Sequence, residues 1–376
     1  VVDTLRSSWI TTGPKTKRFE GDMAAYLGAP AALALSSCTA ALHLALVLEG
    51  IGPGDEVITT PLTFTSTVAV IEHVGARPVL VDVEPETLCL DPAAVAAAVT
   101  PRTRAVIAVH YGGHPCDLDP LAETCREHGL TLIEDAAHAL PARYKGRLIG
   151  SGNNPVCFSF YATKNLTTAE GGLLTGTADF IERGVVASLH GMDRDAWKRN
   201  DQGGSWRYDV VMPGFKYNMT DIQAALGLVQ LGRLDVMQAR RREVATAYTA
   251  ALAPLAVFDL PVQRPDCESA WHLYPLRLRP GGLAGGRDRF IQEMRARNIG
   301  TSVHFIPVHT FTYYREKYGY RPEDFPVTLR EAERLVTIPL HPGLTDGDVA
   351  DVIAAVTDIV GACRDDAGAA EVRRQP

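Results

Sequence analysis

Short apolar, β-rich runs alternate with helical runs between residues 31 and 176, and this alternation limits the possible folds more than any other feature of the chain. Helices are predicted between several of the runs, at 39–50, 91–99 and 117–129. Such a succession of strands and helices favours a mainly parallel, doubly wound sheet, and therefore an α/β fold. The predicted strands are AALALSS, DEVITTP, ARPVLVDVE, TRAVIAVHYGG, LTLIEDAA, VCFSFYAT and GGLLTG.

The rest of the chain predicts a second, smaller α/β unit. Helical patterns dominate residues 219–251, and both strand and helix patterns return after the segment PLAVFDLP. A length of 376 residues is enough for two or three domains. We therefore expect a large sheet domain over 1–250 and a smaller C-terminal domain over 251–376. In the smaller domain, strands are predicted near 271–279 and 300–306 and helices near 287–298 and 346–360.

Charge and composition argue against several classes of partner. The formal net charge of −7 and the pI near 5.9 leave no global basic field for nucleic acid. Apolar runs fall well short of the ~20 residues needed to cross a bilayer, and no signal-peptide pattern opens the chain, so we expect a cytoplasmic protein without a membrane span. The seven cysteines include no C-x-x-C pair, which argues against a disulfide framework and against a zinc or other metal site.

Polar residues directly after each predicted strand are the first candidates for function, because ligands of an open α/β sheet bind beyond the carboxyl ends of its strands. One strand ends in Ser36 and Ser37, and a helix begins at Cys38 and Thr39. A serine cap, the free amides of a first helical turn and the positive end of the helix dipole together make an anion site. A simple N-cap without a ligand is the alternative.

A second strand end carries acidic residues in the segment TLIEDAAHAL. A buried carboxylate is costly unless it meets a cation, so Asp135 is predicted to face a positive ligand group, with His138 three residues further on. Capping of the next turn by Asp135 is the alternative. In PLTFTST, Phe64 follows another strand and could stack on a flat aromatic ring, or could be an ordinary core residue.

A third strand end places a single lysine, Lys164, in the segment FSFYATKNLTTAEGGLLTG. A lysine in a dry environment has a lowered pKa and can form a Schiff base with a carbonyl group. Pyridoxal 5′-phosphate (PLP) needs such a lysine, a carboxylate for its pyridinium nitrogen and an anion site for its phosphate. Lys164, Asp135 and the helix that begins at Cys38 could supply these three requirements.

At these residues the chain resembles the DegT-type nucleotide-sugar aminotransferases, which are PLP-dependent enzymes of fold type I. The matching segments occur in the family's order and cover most of residues 8–345. So many ordered segments are far more specific than any single motif. They are TTGPKTKRFE, SSCTAALHLAL, GDEVITTPLTFTST, PVLVDVEPETLCLDP, IEDAAHALPARYKGRLIG, FSFYATKNLTTAEGGLLTG, GFKYNMTDIQAALGLVQL and GTSVHFIPVH.

The resemblance implies catalytic roles for three residues. Lys164 would hold the cofactor through a Schiff base and later move the proton between substrate carbon and cofactor. Asp135 would pair with the pyridinium nitrogen, which keeps the ring an electron sink. His138 would approach the phenolic oxygen of the ring, at a position where many relatives carry Gln.

The resemblance also implies contacts that hold the cofactor. The hydroxyl of Ser159 and the amides of Cys38 and Thr39 would bind the phosphate, and Phe64 would stack on the ring. Relatives usually carry Gly at the position of Cys38. This departure leaves the amide contact possible and puts the local turn in doubt.

Two further segments are implied to complete the site. In GFKYNMTD, this chain has Lys216 and Asn218 where relatives have Asn and Arg; in the family this loop crosses to the phosphate of the neighbouring subunit, which implies a homodimer with shared sites. A plain surface loop is the alternative. His304, His309 and Tyr314 lie where the family's small domain closes over the sugar, and packing in a core or interface is the alternative for each.

The activity implied is a ping-pong transfer of nitrogen from an amino acid, glutamate by analogy, to a ketosugar carried on a nucleotide diphosphate. The segments at 190–191, 205–210 and 304–309 most resemble members that aminate C4 of a dTDP- or UDP-linked 4-keto-6-deoxyhexose for deoxyaminosugar biosynthesis. The alternatives are a C3 sugar aminotransferase, a PLP-dependent sugar dehydratase and a non-catalytic regulator. Lys164 argues against the dehydratases in which His replaces the lysine, and the regulator is not suggested because no catalytic residue is missing.

Overall fold

The computed structural model describes residues 1–193 and 208–372, with side chains as far as residue 362. The strands are β1 (Ala31–Leu35), β2 (Glu56–Thr59), β3 (Arg77–Leu80), β4 (Thr103–Val109), β5 (Thr131–Asp135), β6 (Arg143–Tyr144), β7 (Arg147–Leu148), β8 (Val156–Ser159), β9 (Gly172–Gly176), β10 (Phe258–Asp259), β11 (Cys267–Glu268), β12 (Tyr274–Leu278) and β13 (Leu335–Ile338).

The α-helices of the described residues account for most of the remaining regular structure. They are α1 (Val2–Arg6), α2 (Pro14–Leu27), α3 (Cys38–Leu48), α4 (Thr65–His73), α5 (Pro92–Ala98), α6 (Leu118–His128), α7 (Ala178–Ser188), α8 (Asp221–Leu231), α9 (Leu234–Leu252), α10 (Gly286–Ala296), α11 (Thr312–Tyr318), α12 (Pro326–Arg334) and α13 (Asp346–Val372).

A seven-stranded sheet in the order β1-β9-β8-β5-β4-β2-β3 forms the centre of the molecule. Strand β9 runs antiparallel to both of its neighbours, whereas the pairs from β8 through β5, β4 and β2 to β3 are parallel. All seven strands predicted between residues 31 and 176 are present, and the prediction of a mainly parallel α/β fold is confirmed.

Both faces of the sheet are covered by helices, so the strands are apolar on both sides. Ile133 and Leu174 point into a core shared with α3, α4 and α7. Their neighbours Leu132 and Leu173 point to the opposite face, where α2, α5 and α6 pack. Alternation of side chains along each strand produces these two layers.

A second hydrophobic core lies in the C-terminal part of the chain, around the antiparallel strands β10, β12 and β13. Helices α10 and α13 pack on these strands, and the second half of α9 joins them from Val244 onward. The predicted helices near 287–298 and 346–360 are present as α10 and α13, and α13 extends to Val372. The domain boundary near residue 250 stays a prediction and falls within the last turn of α9.

The strand predicted near 300–306 is not formed. Only Ser302 makes a bridge, to Thr337 of β13. The backbone that follows bonds instead to residues just after β4 and β2 of the seven-stranded sheet, because the hydroxyl of Tyr111 donates to the carbonyl of His304 and the amide of Val308 donates to Pro61 O at 2.8 Å. These contacts hold the segment over the carboxyl ends of the parallel strands.

None of the helices described is long and apolar enough to cross a membrane.

Candidate active site

A cavity of about 630 Å³ opens at the carboxyl ends of β4, β5 and β8, between these strands and the 303–305 segment. The first turns of α3 and α4 form part of its wall, as expected for an open α/β sheet. Most of the residues proposed from the sequence therefore meet at one place. Those that line the cavity are Cys38, Thr39, Phe64, Asp135, His138, Ser159, Lys164 and His304.

Lys164 lies in the turn after β8, where its backbone amide donates to Tyr161 O at 2.9 Å. Burial of the side chain lowers the pKa of the Lys164 amine, and the nearby carboxylate of Asp135 opposes this effect only in part. A larger fraction of the amine is therefore neutral at a given pH than for an exposed lysine. A neutral amine is the form that attacks a carbonyl carbon.

Asp135 is the last residue of β5 and is 5% exposed. Its carboxylate accepts hydrogen bonds from the Thr67 hydroxyl at 2.8 Å and from the Ala137 amide at 3.1 Å. Burial raises the pKa of Asp135, although the Thr67 hydrogen bond and the nearby Lys164 charge favour the ionised form. A carboxylate buried in this way gains most from a cationic group placed beside it in the cavity.

The N-terminus of α3 forms an anion cradle. The Ser37 side chain caps the helix by accepting from the Ala40 amide at 3.0 Å, and the amides of Cys38 and Thr39 have no intrahelical partner. Gly172 of β9 makes room for this turn, because a Cβ added there would lie 2.5 Å from Cys38 N. Small size at position 172 lets the cradle pack directly on the sheet.

The turn at Cys38, which the family resemblance put in doubt, is formed. The thiol points into the protein, where Sγ donates to Cys157 O at 3.5 Å and lies 4.0 Å from Asp135 Oδ1. The side chain is 8% exposed. Helix α3 begins at Cys38 with Ser37 as its cap, so the thiol leaves the helix amides available.

Phe64 is 61% exposed although it is a large aromatic residue at the start of α4. Its ring centroid lies 6.3 Å from that of Phe305 across the cavity. The alternative of an ordinary core phenylalanine is therefore wrong. An exposed ring at a cavity wall is suited to stack on a flat ligand.

His138 and two neighbours not singled out from the sequence form an aromatic wall. The ring of His138 lies 4.4 Å from that of His272 and stacks on Phe305 at a centroid distance of 5.8 Å. Burial, together with the charge of Lys164, lowers the pKa of both His138 and His272 well below the ordinary value. Both imidazoles are therefore neutral hydrogen-bonding groups.

Of the three residues expected to close over the sugar, one lines the cavity and two are buried elsewhere. His304 lines the cavity, with Nδ1 3.0 Å from the Thr337 hydroxyl. His309 is fully buried, with Nε2 3.1 Å from Pro322 O and its ring against Phe325. Tyr314 packs in the same small hydrophobic cluster as Phe325. Core packing, the alternative left open from the sequence, therefore describes His309 and Tyr314.

Lys216 and Asn218 do not line the cavity of their own chain. Lys216 is exposed, and its Nζ donates to Asn218 Oδ1 at 2.5 Å. Asn218 Nδ2 donates in turn to the Thr12 hydroxyl at 2.7 Å. Buried Asp221, at the start of α8, accepts from Gly13 N at 2.8 Å, which ties the 214–220 loop to the start of α2.

Of the segments compared for the position of amination, 190–191 lies beside this loop, where the His190 amide donates to Phe215 O at 2.8 Å. Residues 205–207 of the second segment lie outside the described residues.

The groups around the cavity match the parts of PLP one by one. A desolvated amine can take the aldehyde, a buried carboxylate can take the cationic ring nitrogen, and an exposed phenylalanine can take the ring face. The helix N-terminus can take the phosphate. In the part of the chain that the structure describes, no group of three or more His, Cys, Asp or Glu side chains could hold a metal ion.

Comparison with known proteins identifies relatives over nearly the whole chain. The model of the DegT/DnrJ/EryC1/StrS aminotransferase family matches residues 1–357. The spore coat polysaccharide biosynthesis protein SpsC of Bacillus subtilis is 50% identical over 96% of this chain and 93% of its own.

Solved structures show the same fold. A putative sugar aminotransferase of Streptococcus pneumoniae in its PMP form superposes with a TM-score of 0.90 at 36% identity, covering 96% of each chain. The same protein has also been solved in its PLP form. DesV from S. venezuelae, solved with a ketimine intermediate, superposes with a TM-score of 0.87 at 35% identity over 96% of this chain and 92% of its own. The chain therefore belongs to the DegT/DnrJ/EryC1/StrS aminotransferase family and is a PLP-dependent sugar aminotransferase of fold type I.

Proposed function

We propose that this enzyme transfers the amino group of L-glutamate to C4 of a dTDP- or UDP-linked 4-keto-6-deoxyhexose, in deoxyaminosugar biosynthesis. The observation that carries the proposal is the convergence of Lys164, Asp135 and the α3 N-terminus on one cavity, in a chain of the sugar aminotransferase family. The choice of C4 rests on the sequence resemblance of residues 190–191, 205–210 and 304–309 to members with that regiochemistry. The relative SpsC, named for polysaccharide biosynthesis, supports a sugar destined for a polymer.

Lys164 carries the cofactor and moves the proton in this proposal. When bound, PLP supplies an electron sink that stabilises negative charge on the substrate carbon. The amine of Lys164 takes a proton from the donor amino acid and returns one to the sugar carbon in the second half of the reaction, because each half requires a proton shift. The burial that lowers the pKa of Lys164 keeps the amine available as a base.

The remaining residues orient the cofactor ring and bind the sugar. Asp135 holds its charge beside the ring nitrogen, with Thr67 supporting the carboxylate. His138 offers a neutral imidazole to the phenolic oxygen, and Phe64 covers a face of the ring. His304, from the segment folded over the cavity, contacts the sugar.

The phosphate site draws on two subunits in this proposal. Ser159 and the amides of Cys38 and Thr39 supply neutral donors from the home subunit, and a dianionic phosphate also favours a charged donor. Exposed apolar side chains on and near α8, among them Val229 at 64% and Val236 at 75% exposure, offer a surface for a second copy of the chain. In the resulting homodimer, Lys216 and Asn218 of one copy reach the phosphate of the other.

Spectroscopy and mass spectrometry test the proposed reaction. We expect glutamate alone to bleach the visible absorbance of the PLP-loaded enzyme, and the resulting form to aminate a dTDP- or UDP-linked 4-keto sugar. A panel that includes 3-keto sugars distinguishes C3 from C4 products. Release of ammonia or water without stoichiometric use of glutamate would identify a dehydratase and contradict the proposal.

Mixing inactive variants tests the shared site. Lys164→Ala and the double variant Lys216→Ala with Asn218→Ala are each expected to be inactive. Heterodimers of the two contain one intact site, so activity should return when the subunits exchange. Absence of recovery despite demonstrated exchange would mean that the 214–220 loop does not serve the neighbouring subunit.

A further inference from the structure

The amide of Asn165, the residue after Lys164, has a fixed orientation beneath the cavity. Its Nδ2 donates to two backbone carbonyls, Leu140 O at 2.9 Å and Ala270 O at 2.8 Å. Turning the amide over would place its oxygen against both carbonyl oxygens and leave them without donors. The oxygen Oδ1 is therefore the atom that faces Nδ1 of His272, at 3.1 Å.

This contact fixes the tautomer of His272. An amide oxygen only accepts hydrogen bonds, so Nδ1 of His272 must carry the hydrogen. Burial, with the nearby charges of Lys164 and Arg241, lowers the pKa of His272 well below its ordinary value, so only one of the two ring nitrogens is protonated. Its second nitrogen, Nε2, therefore holds a lone pair and accepts a hydrogen bond.

The backbone also holds His272 in place. The amide of His272 donates to Gly112 O at 3.1 Å. Gly113 has φ of 99°, and a Cβ added there would lie 2.9 Å from His138 O and 3.1 Å from His272 N. Glycine at 113 thus allows the two segments to approach closely, and the His272 ring lies 4.4 Å from the His138 ring.

We propose that His272 is a specificity residue whose Nε2 accepts a hydrogen bond from a hydroxyl of the ketosugar, and that Asn165 is its positioning residue. The inference rests on the proposed function and extends it to the recognition of the sugar. His272 lines the cavity together with His304 and Phe305. A lone pair suits a hydroxyl donor and repels the carboxylates of glutamate, so the contact acts in the sugar half of the reaction.

The tautomer can be measured directly. In ¹⁵N NMR spectra of the PLP-loaded enzyme labelled at histidine, the signals lost in His272→Asn identify this ring. We expect a protonated Nδ1 and an unprotonated Nε2, and a shift of Nε2 when the nucleotide-linked 4-keto-6-deoxyhexose binds the pyridoxamine form. A protonated Nε2 in the wild-type enzyme would overturn the inference.

Two substitutions distinguish the roles of the two ring nitrogens of His272. His272→Asn keeps a donor near the position of Nδ1, so the contact with Asn165 is retained, and it removes the acceptor from the cavity. His272→Gln keeps an acceptor near the position of Nε2. We expect kcat/KM for the ketosugar to fall roughly 10- to 100-fold in His272→Asn, mostly through KM, and less in His272→Gln.

Measuring the two half-reactions separately completes the test. The loss in the sugar half should exceed the loss in the glutamate half by roughly 10-fold or more. Equal losses in both halves would show that His272 acts through Lys164, and would overturn the inference. A wild-type enzyme that reacts with glutamate but with no nucleotide ketosugar would instead refute the proposed function, while the NMR result would still report the tautomer.

Discussion

The hydroxyl of Thr67 donates a 2.8 Å hydrogen bond to Asp135 Oδ2, at the point where β5 ends and the first turn of α4 begins to form the cavity wall. The hydroxyl of Thr63 lies 2.8 Å from that of Thr67, so the bond is part of a short buried chain. Because burial raises the pKa of Asp135, this donor helps to keep the carboxylate charged. The charge is what the ring nitrogen of PLP requires.

Removing that donor should slow catalysis without unfolding the protein. Thr67→Val preserves shape and loses the hydroxyl, so we expect kcat/KM to fall roughly 10- to 100-fold, the worth of a hydrogen bond to a charged group. Thr67→Ser retains the hydroxyl and serves as the matched control. Equal turnover in the two variants would show that the hydrogen bond has no role.

Asp135→Asn tests the carboxylate itself. The amide keeps the size of the side chain and loses the charge, so proton removal from the substrate should become slower by roughly 10²-fold or more. Single-turnover rates with glutamate measure this step. Nearly normal turnover in Asp135→Asn would rule out the proposed charge partner.

The buried imidazole of His138 should make the protein sensitive to acid. Burial lowers the pKa of His138, so below pH ~6.5 the unfolded chain binds a proton that the folded ring does not. The buried neutral ring therefore does not lower the free energy of unfolding above that pH. As the pH falls below it, this ring lowers the free energy of unfolding by up to about 1.4 kcal/mol per pH unit.

His138→Gln removes this group, so the free energy of unfolding of the cofactor-free protein should fall less steeply between pH ~6.5 and ~5. Urea titrations at several pH values measure the slope, with the exposed His128 as the control substitution. An unchanged slope in His138→Gln would contradict the burial argument.

A larger residue at position 172 should destabilise the protein, because the atoms near an added Cβ are backbone atoms, which cannot move aside easily. That Cβ would lie 2.3 Å from Ser37 C and 2.5 Å from Cys38 N. We expect Gly172→Ala to lower the free energy of unfolding by roughly 1–3 kcal/mol, as overpacking does, and to weaken PLP binding by displacing the cradle.

Gly152→Ala is the control for this substitution, because no atom lies within 4 Å of an added Cβ there. Denaturant unfolding and cofactor titration compare the two variants. If Gly172→Ala bound PLP as tightly as Gly152→Ala, the cradle would not depend on this close packing.

The strand ends were readable from the sequence because their signal is local. An apolar run followed directly by a polar residue marks Ser37, Asp135 and Lys164, and the sheet brings these ends to one edge. The chemistry of these strand ends indicates PLP, and the family resemblance adds the transfer of an amino group to a sugar, which composition and periodicity alone do not predict.

The features that could not be predicted from the sequence depend on contacts between distant parts of the chain. His272 precedes a strand instead of following one, and it reaches the cavity because its backbone bonds to Gly112. The 300–306 segment has apolar residues typical of a strand, yet His304 bonds to Tyr111, which follows β4, instead of extending β13. Burial of His309 likewise follows from tertiary packing that no local pattern encodes.

The most direct test of the account is to locate the cofactor on the chain. Borohydride reduction of the PLP-loaded enzyme fixes the cofactor to the amine that holds it, and peptide mapping then identifies that residue. We predict a single pyridoxyl label on Lys164, and loss of the label with retained fold in Lys164→Ala. A label on any other lysine of the native enzyme would contradict the assignment of this cavity as the active site.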